Sequence, residues 1–368
     1  MRRTAIALGA FAMAVPLAAC GVVDGIGDDG SSASPKKGDD ITVGLLLPEK
    51  ENSRYEKFDY PIIEKKVAEL TNDKGRVEYA NAEQDAARQS AQLNQMVADK
   101  VDVVLLDAVD AKAIAGSVRK AKEAGIPVIA YDRLAQGPID AYISFDNELV
   151  GQVQGRALVE ALGPGAESRK IVMMNGSVTD PNAAQFKAGA LSELEGKVII
   201  AKRFDTKDWK PENAKANMEQ AITAVGLDNI AGVYSANDGM AGAIISALKE
   251  TGATKLPPVT GQDAELDAVQ RIVSGDQFMS VYKSYAQEAN AAAQMAVAKV
   301  QGRSIEFDAL TRDKVDSPTK KNIPAQLVPV VALTKKNIEE TVVQEGFYTV
   351  KQICTSKFKA DCSAIGLN

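Results

Sequence analysis

Val103-Val104-Leu105, a helix-patterned stretch, Ala124-Gly125-Ile126-Pro127-Val128 and a run ending at Tyr131-Asp132 make one strand–helix–strand pattern. The same order returns later. Gly232-Val233-Tyr234 feeds a helical stretch, Thr251-Gly252 and Pro257-Pro258-Val259 follow, and the run ends at Gln262-Asp263. Both copies enter their second strand through Gly and Pro-Val and leave it at an Asp. In open α/β sheets ligands bind outside the carboxyl ends of the strands. Two such units set face to face would aim Asp132 and Asp263 into one cleft.

Outward from these copies, short β-branched runs recur at 41–47, 101–106, 127–131, 141–145, 170–174, 198–201, 232–234, 258–261, 278–282 and 326–331. Amphipathic stretches at 55–70, 85–98, 111–124, 148–162, 211–224 and 240–249 lie between them. Regular alternation of this kind predicts an α/β fold with parallel sheets wrapped by helices.

Composition narrows the function. The chain has 368 residues, 45% hydrophobic and 25% charged, values of an ordinary globular protein with room for two domains. Its 43 basic and 49 acidic residues leave a net charge of -6, so no basic surplus drives nucleic-acid binding. Histidine is absent, which removes Ser-His-Asp and Cys-His catalysis and His-ligated metal. No cofactor or metal is expected.

Residues 1–19 read as an export signal. Arg2 and Arg3 precede an apolar run too short to span a bilayer. Leu17-Ala18-Ala19-Cys20 resembles the lipobox of bacterial lipoproteins, in which the cut falls before a lipidated Cys. Residues 20–40 would then be a lipidated Cys20 and a Gly/Ser/Asp tether too polar to pack. Gly25 to Gly30 spells GxGxxG, but neither strand nor helix flanks it, so it carries no nucleotide site. In an exported chain Cys354 and Cys362 form an even pair, expected as a disulfide and not as two free thiols.

Read at strand ends, the polar residues are Arg54, Asp132, Arg133, Asp146, Asn147, Asp180, Asn182, Asn237, Asp238, Asp263 and Lys283. Planar carboxylate, amide and guanidinium groups present paired hydrogen-bonding atoms that suit vicinal hydroxyls. This mixture of donors and acceptors suits a neutral polyol better than a phosphate or a metal. Trp209, the only tryptophan, sits in a polar loop before a helix and could cover the apolar face of a sugar. Tyr55 is a second aromatic candidate. Taken singly, Asp132 reads as a turn residue and Asn237 as a helix cap; their joint pattern points to a site.

Several segments resemble the xylose-binding type of bacterial sugar-binding protein. They are Tyr131-Asp132-Arg133, Ile143 to Glu148, Gly176-Ser177, Asp180-Pro181-Asn182-Ala183, Trp209 with Pro211 to Ala214, Asn237-Asp238, Gly261 to Ala264, and Val281-Tyr282-Lys283. They follow the family's order through nearly the whole mature chain. The first-strand segment departs most: Leu47-Pro48-Glu49-Lys50 replaces a more Asp-rich stretch, and Tyr55 stands where the family often has Trp.

The resemblance implies a periplasmic binding protein of type I, with two doubly wound parallel-sheet lobes joined by a three-crossing hinge. Residues 41–145 plus 284–325 would form the N-terminal lobe, 146–283 plus 326–345 the C-terminal lobe, and 346–368 a tail. It implies sugar binding by Arg54, Asp132, Arg133, Asp180, Asn182, Trp209, Asn237, Asp263 and Lys283, to which the residue reading adds Tyr55 beside Arg54. It further implies a monomeric lipoprotein on the outer face of the membrane, delivering D-xylose to the permease of an ABC importer. Three alternatives remain at this stage. A broader glucose, galactose or arabinose receptor would share the fold. A carbohydrate-active enzyme would use paired carboxylates. A sugar-responsive repressor would need a helix-turn-helix where the signal sequence stands.

Overall fold

The computed structural model describes residues 37–50 and 52–368. The expected signal peptide, Cys20 and nearly all of the tether lie outside the described residues.

The first half alternates as expected: β1 (Thr42–Leu47), a π-helical turn (Tyr55–Asp59) running into α1 (Tyr60–Leu70), β2 (Arg76–Asn81), α2 (Ala86–Ala98), β3 (Val103–Leu106), α3 (Ala115–Glu123), β4 (Val128–Tyr131) and β5 (Ala141–Phe145). The central strands are apolar along their whole length because helices cover both faces of the sheet. β2, with its mixed Arg-Val-Glu-Tyr-Ala-Asn sequence, is the half-exposed edge. Sequence reading missed it for that reason.

The second half repeats the plan with α4 (Asn147–Leu162), β6 (Lys170–Asn175), α5 (Pro181–Leu194), β7 (Ile199–Asp205), α6 (Pro211–Val225), β8 (Gly232–Ser235), α7 (Asp238–Glu250), α8 (Leu266–Ser274) and β9 (Ser280–Lys283). The chain then returns through α9 (Tyr285–Val300), α10 (Ser304–Leu310), β10 (Asp313–Val315), β11 (Ile323–Val328), β12 (Val330–Leu333), α11 (Val350–Ile353) and α12 (Lys359–Ala364).

The large sheet has the order β10-β11-β5-β4-β3-β1-β2, parallel except for β10. The second group runs β7-β6-β8, all parallel, and continues through residues 259–263 to the β9–β12 pair. The link is a lone bridge from Val233 to Val259 and backbone bonds from Phe278 N–H to Val259 O and Val281 N–H to Gly261 O. The expected strand at 258–261 is thus an irregular strand.

The two patterned copies occupy equivalent places, third and fourth strand in each sheet. Their exits match in detail. Asp132 N–H donates to Ile143 O at 2.8 Å, and Asp263 N–H donates to Val281 O at 2.9 Å.

Passages between the sheets occur after β5, after β9 and between β11 and β12. The last falls at Pro329 and not between residues 325 and 326 as expected, because Gln326–Val328 still pair with Ile143–Phe145. Residues 346–368 also pack more closely than a tail would. Ile353, Phe358, Cys362 and Leu367 are buried against Val269, Ile272 and Val273 of α8. Cys354 and Cys362 are joined, their Cα atoms 5.9 Å apart.

Candidate functional site

The carboxyl ends of the two sheets meet in a cavity lined by Arg54, Tyr55, Asp132 and Arg133 from one side and Asp180, Asn182, Trp209, Asn237, Asp263 and Lys283 from the other. All ten residues expected from the sequence are brought together. Glu49, Asn52, Phe186 and Gln262 also line it and were not anticipated as site residues. Together with the open solvent at its mouth the space measures about 400 Å³.

Each wall has a local cause. Asp132 (φ 56°) and Asp263 (φ 95°) both hold left-handed backbone. Such a residue costs about 1–3 kcal/mol and persists only where its surroundings impose it. Here a tyrosine hydroxyl holds each carbonyl: Tyr142 donates to Asp132 O (2.8 Å) and Tyr285 to Asp263 O (2.9 Å).

The Asp132 carboxylate accepts from Arg54 Nη1 and from Asn182 Nδ2 (2.7 Å), so it ties the two sheets together. Burial works against its charge, but Arg54, Lys283 and Arg133 outweigh burial and hold the carboxyl below its usual range. Asp263 lies 2.7 Å from Lys283 Nζ and accepts from Asn52 Nδ2 at 3.2 Å.

Arg54 has little left to offer a ligand. It donates to both oxygens of Asp59 at 2.9 Å, to Glu288 Oε2 at 2.7 Å, and to Asp132. Its role is to aim Asp132. Asp180 is similarly spent. One oxygen caps α5 at Asn182 N–H (2.9 Å), and the other receives Trp209 Nε1 (3.1 Å) and Arg133 Nε (3.0 Å). Burial pushes its carboxyl up, and Arg133 opposes the shift. Asn237 does cap α7, its Oδ1 accepting from Met240 N–H at 3.0 Å, and so presents its amide nitrogen to the cavity.

Trp209 meets Phe186 edge to face at 6.3 Å. Gly176 lies under its ring: a Cβ there would come within 2.0 Å of the indole. Asn182 Oδ1 and Gln262 Oε1 are buried and accept no hydrogen bond among the described residues.

Three residues collected at strand ends serve elsewhere. Asp146 caps α4, Asn147 bonds Ser144 Oγ, and Asp238 is buried beneath the Gly261–Asp263 loop. The missed residues had signals. Glu49 and Asn52 follow β1 just as Asp132 follows β4, and Phe186 stands one helical turn after Asn182. No group of His, Cys, Asp and Glu among the described residues could hold a metal ion. No helix among them is long and apolar enough to cross a membrane.

Fold and site define a two-lobed binding protein with a polar cleft. The chain belongs to the periplasmic binding protein family, whose domain matches residues 43–304. The D-xylose-binding periplasmic protein of Haemophilus influenzae is 35% identical over 329 residues, 88% of this chain and 94% of that one. The multiple sugar-binding periplasmic receptor ChvE of Rhizobium radiobacter is 32% identical over 85% of this chain and 92% of its own. A solute binding protein of Clostridium phytofermentans with bound β-D-glucose superposes with a TM-score of 0.78 at 25% identity, over 85% of this chain and 99% of that one. These relatives are named as binding proteins and a receptor, not as enzymes.

Proposed function

We propose that this protein captures a neutral monosaccharide, D-xylose first, between its two lobes and delivers it to the permease of an ABC importer. The observation that carries the reading is the pair of matched strand ends. Asp132-Arg133 from one sheet face Asp263 and Lys283 from the other, with the Trp209 ring beside them. Planar charged groups already held by partners pair with hydroxyls at little reorganisation cost, and hinge closure is the family's mode of enclosing ligand. A cleft of paired polar groups rejects analogues that leave those groups unpaired.

Isothermal titration against D-xylose, D-glucose, D-galactose, L-arabinose and D-ribose tests the reading, with D-xylose expected to bind tightest. Absence of binding to every one would overturn it. The specific ground for a broader receptor is the first wall. Tyr55 and Glu49 stand there, and relatives named for several sugars share the fold. Equal affinity for D-glucose would select that alternative.

The lobes of this reading are residues 41–145 with 284–328, and 146–283 with 330–345. The Leu17-Ala18-Ala19-Cys20 lipobox supports a receptor held at the outer face of the membrane through a lipid on Cys20, with Cys354–Cys362 oxidised; we take it to act as a monomer. Cys20→Ala should be exported yet leave the membrane fraction with sugar affinity unchanged. Retention in the membrane pellet would refute the anchor.

A further inference from the structure

We propose that Phe347, at the head of the C-terminal segment, is a positioning residue for the ligand site and acts through Tyr285. The proposal rests on the sugar-binding reading and adds a second role to a region that reading leaves idle.

Tyr285 opens α9 directly after the second passage between the lobes and is 2% exposed. It touches one site residue from each lobe. Its hydroxyl donates to Asp263 O at 2.9 Å, and the Arg54 guanidinium lies 4.3 Å from its ring centroid. The first contact holds the left-handed turn that presents the Asp263 carboxylate. The second holds the cation that aims Asp132. The Tyr142 hydroxyl does the first task for Asp132 from within a strand, where the sheet fixes it. Tyr285 opens a helix and is not itself in a strand, so its orientation depends on the side chains packed around its ring.

That packing is aromatic: Phe58 at 5.7 Å and Phe145 at 6.5 Å flank the Tyr285 ring, and the C-terminal segment adds Phe347. Phe347 lies 5.4 Å from the Tyr285 ring, stacks on Phe58 at 4.6 Å with 6° between planes, and meets Tyr282 edge-on at 5.2 Å. Phe58 belongs to the turn leading into α1 of the first lobe, and Tyr282 to β9 of the second. Phe347 is therefore a wedge between lobes, behind the hinge. Its own place is set by the buried segment behind it, mounted on α8, to which the Asp263 loop leads. Interiors are close-packed, so removing a wedge ring leaves Tyr285 free to tilt. A tilt of that ring shifts Arg54 and Asp263 together.

The test compares Phe347→Ala with Ile353→Ala in the full chain. Ile353 is buried in the same segment and has no contact with Tyr285. Both should melt earlier. Only Phe347→Ala should weaken binding of D-xylose, or of whichever sugar of the panel binds best. The expected loss is about three- to tenfold, the range of one aromatic pair, and it should appear in the dissociation rate. Phe347→Leu should show a smaller loss in the same direction, and it keeps the test open should the alanine variant fail to fold. Tyr285→Phe, which keeps the ring and drops the bond to Asp263, should also weaken binding. If the Phe347 variants bind like wild type, or Ile353→Ala loses as much affinity, the segment is only structural and the proposal falls. If wild type binds no sugar, the reading beneath it has failed.

Discussion

Charge at single residues decides what the cleft can recognise. Arg133 is fixed by Asp180 at 3.0 Å and Ala108 O at 3.2 Å, and Asp263 by Lys283 at 2.7 Å. Both are nine-tenths or more buried, so a truncation strands their partners without water. Stranding a buried polar group costs about 1–3 kcal/mol, more when it is charged. Arg133→Ala and Asp263→Ala should each weaken sugar binding at least roughly tenfold in calorimetry. Asp308→Ala, an exposed charge on α10, should leave binding as it was. Wild-type affinity in both cleft variants would displace the site. Asp238 gives a pH signature. It accepts from Gln277 Nε2, Ser280 Oγ and Glu265 N–H, and burial, opposed by Arg271, pushes its carboxyl up to about 7. An unfolded Asp titrates near ~4. The folded state therefore holds a proton that the unfolded state has lost, and this group's share of stability falls as pH rises from about 4 to about 7. The neighbouring Asp263 carboxylate adds to the upward push. Asp238→Asn should flatten the fall of melting temperature over that window. An unchanged slope would show that Asp238 is ionised throughout.

Among elements, α4 and α5 pack without room for a methyl group. A Cβ on Gly189 would lie 1.9 Å from Glu148 O, and one on Gly151 would lie 2.0 Å from Phe186 O. Because α5 carries both Asn182 and Phe186 into the cavity, this close approach sets their depth. Gly189→Ala should cost about 1–3 kcal/mol or more in denaturant unfolding, the usual cost of overpacking. An unshifted midpoint would mean that the helices slide freely. The central strands were legible because burial on two faces makes them continuously apolar, whereas β2 and β10 at the edges lost that signal. The run at 326–331 was read as one strand although Pro329 interrupts it. A proline has no N–H for a ladder, and that is where the chain leaves one sheet for the other. Ligand residues at strand ends were legible from their planar groups and matched order. Their division of labour was not. The spending of Arg54 on Asp59 and Glu288 joins residues five and 234 positions apart. No local pattern in the sequence records that triangle.

Across the whole molecule, the lobes meet through bonds that span the cleft: Asn182 to Asp132, Arg133 to Asp180, Asn52 to Asp263, and Gln84 Nε2 to Asp208 O at 3.4 Å. Charge around the enclosed space leans negative. Glu49, Asp132, Asp180 and Asp263 line it with Arg54, Arg133 and Lys283. Each of those cations already faces a carboxylate. The adjoining mouth adds the Asp208 carboxylate and has no basic side chain in its lining, while burial and the nearby Asp238 push the Glu265 carboxyl there up to about 8, so that it is mostly neutral at pH 7. An anionic sugar entering this space would meet the Asp208 charge at the mouth and find no unpaired cation inside. In a water-poor site such repulsion is far stronger than in bulk. D-Glucuronate and D-galacturonate should therefore bind at least about tenfold more weakly than the corresponding neutral hexoses, a gap of roughly 1.4 kcal/mol or more. Asp208→Asn should narrow that gap without changing the order among neutral sugars, since Asp208 sits at the mouth. Competition titrations at two salt concentrations would separate the contributions, because the mouth is screened by salt and the enclosed carboxylates much less. Equal affinity for a uronate and its neutral hexose would show that Arg133 or Lys283 releases its carboxylate to take the ligand's. The cleft's charges would then be exchangeable partners, where the geometry has them fixed for hydroxyls.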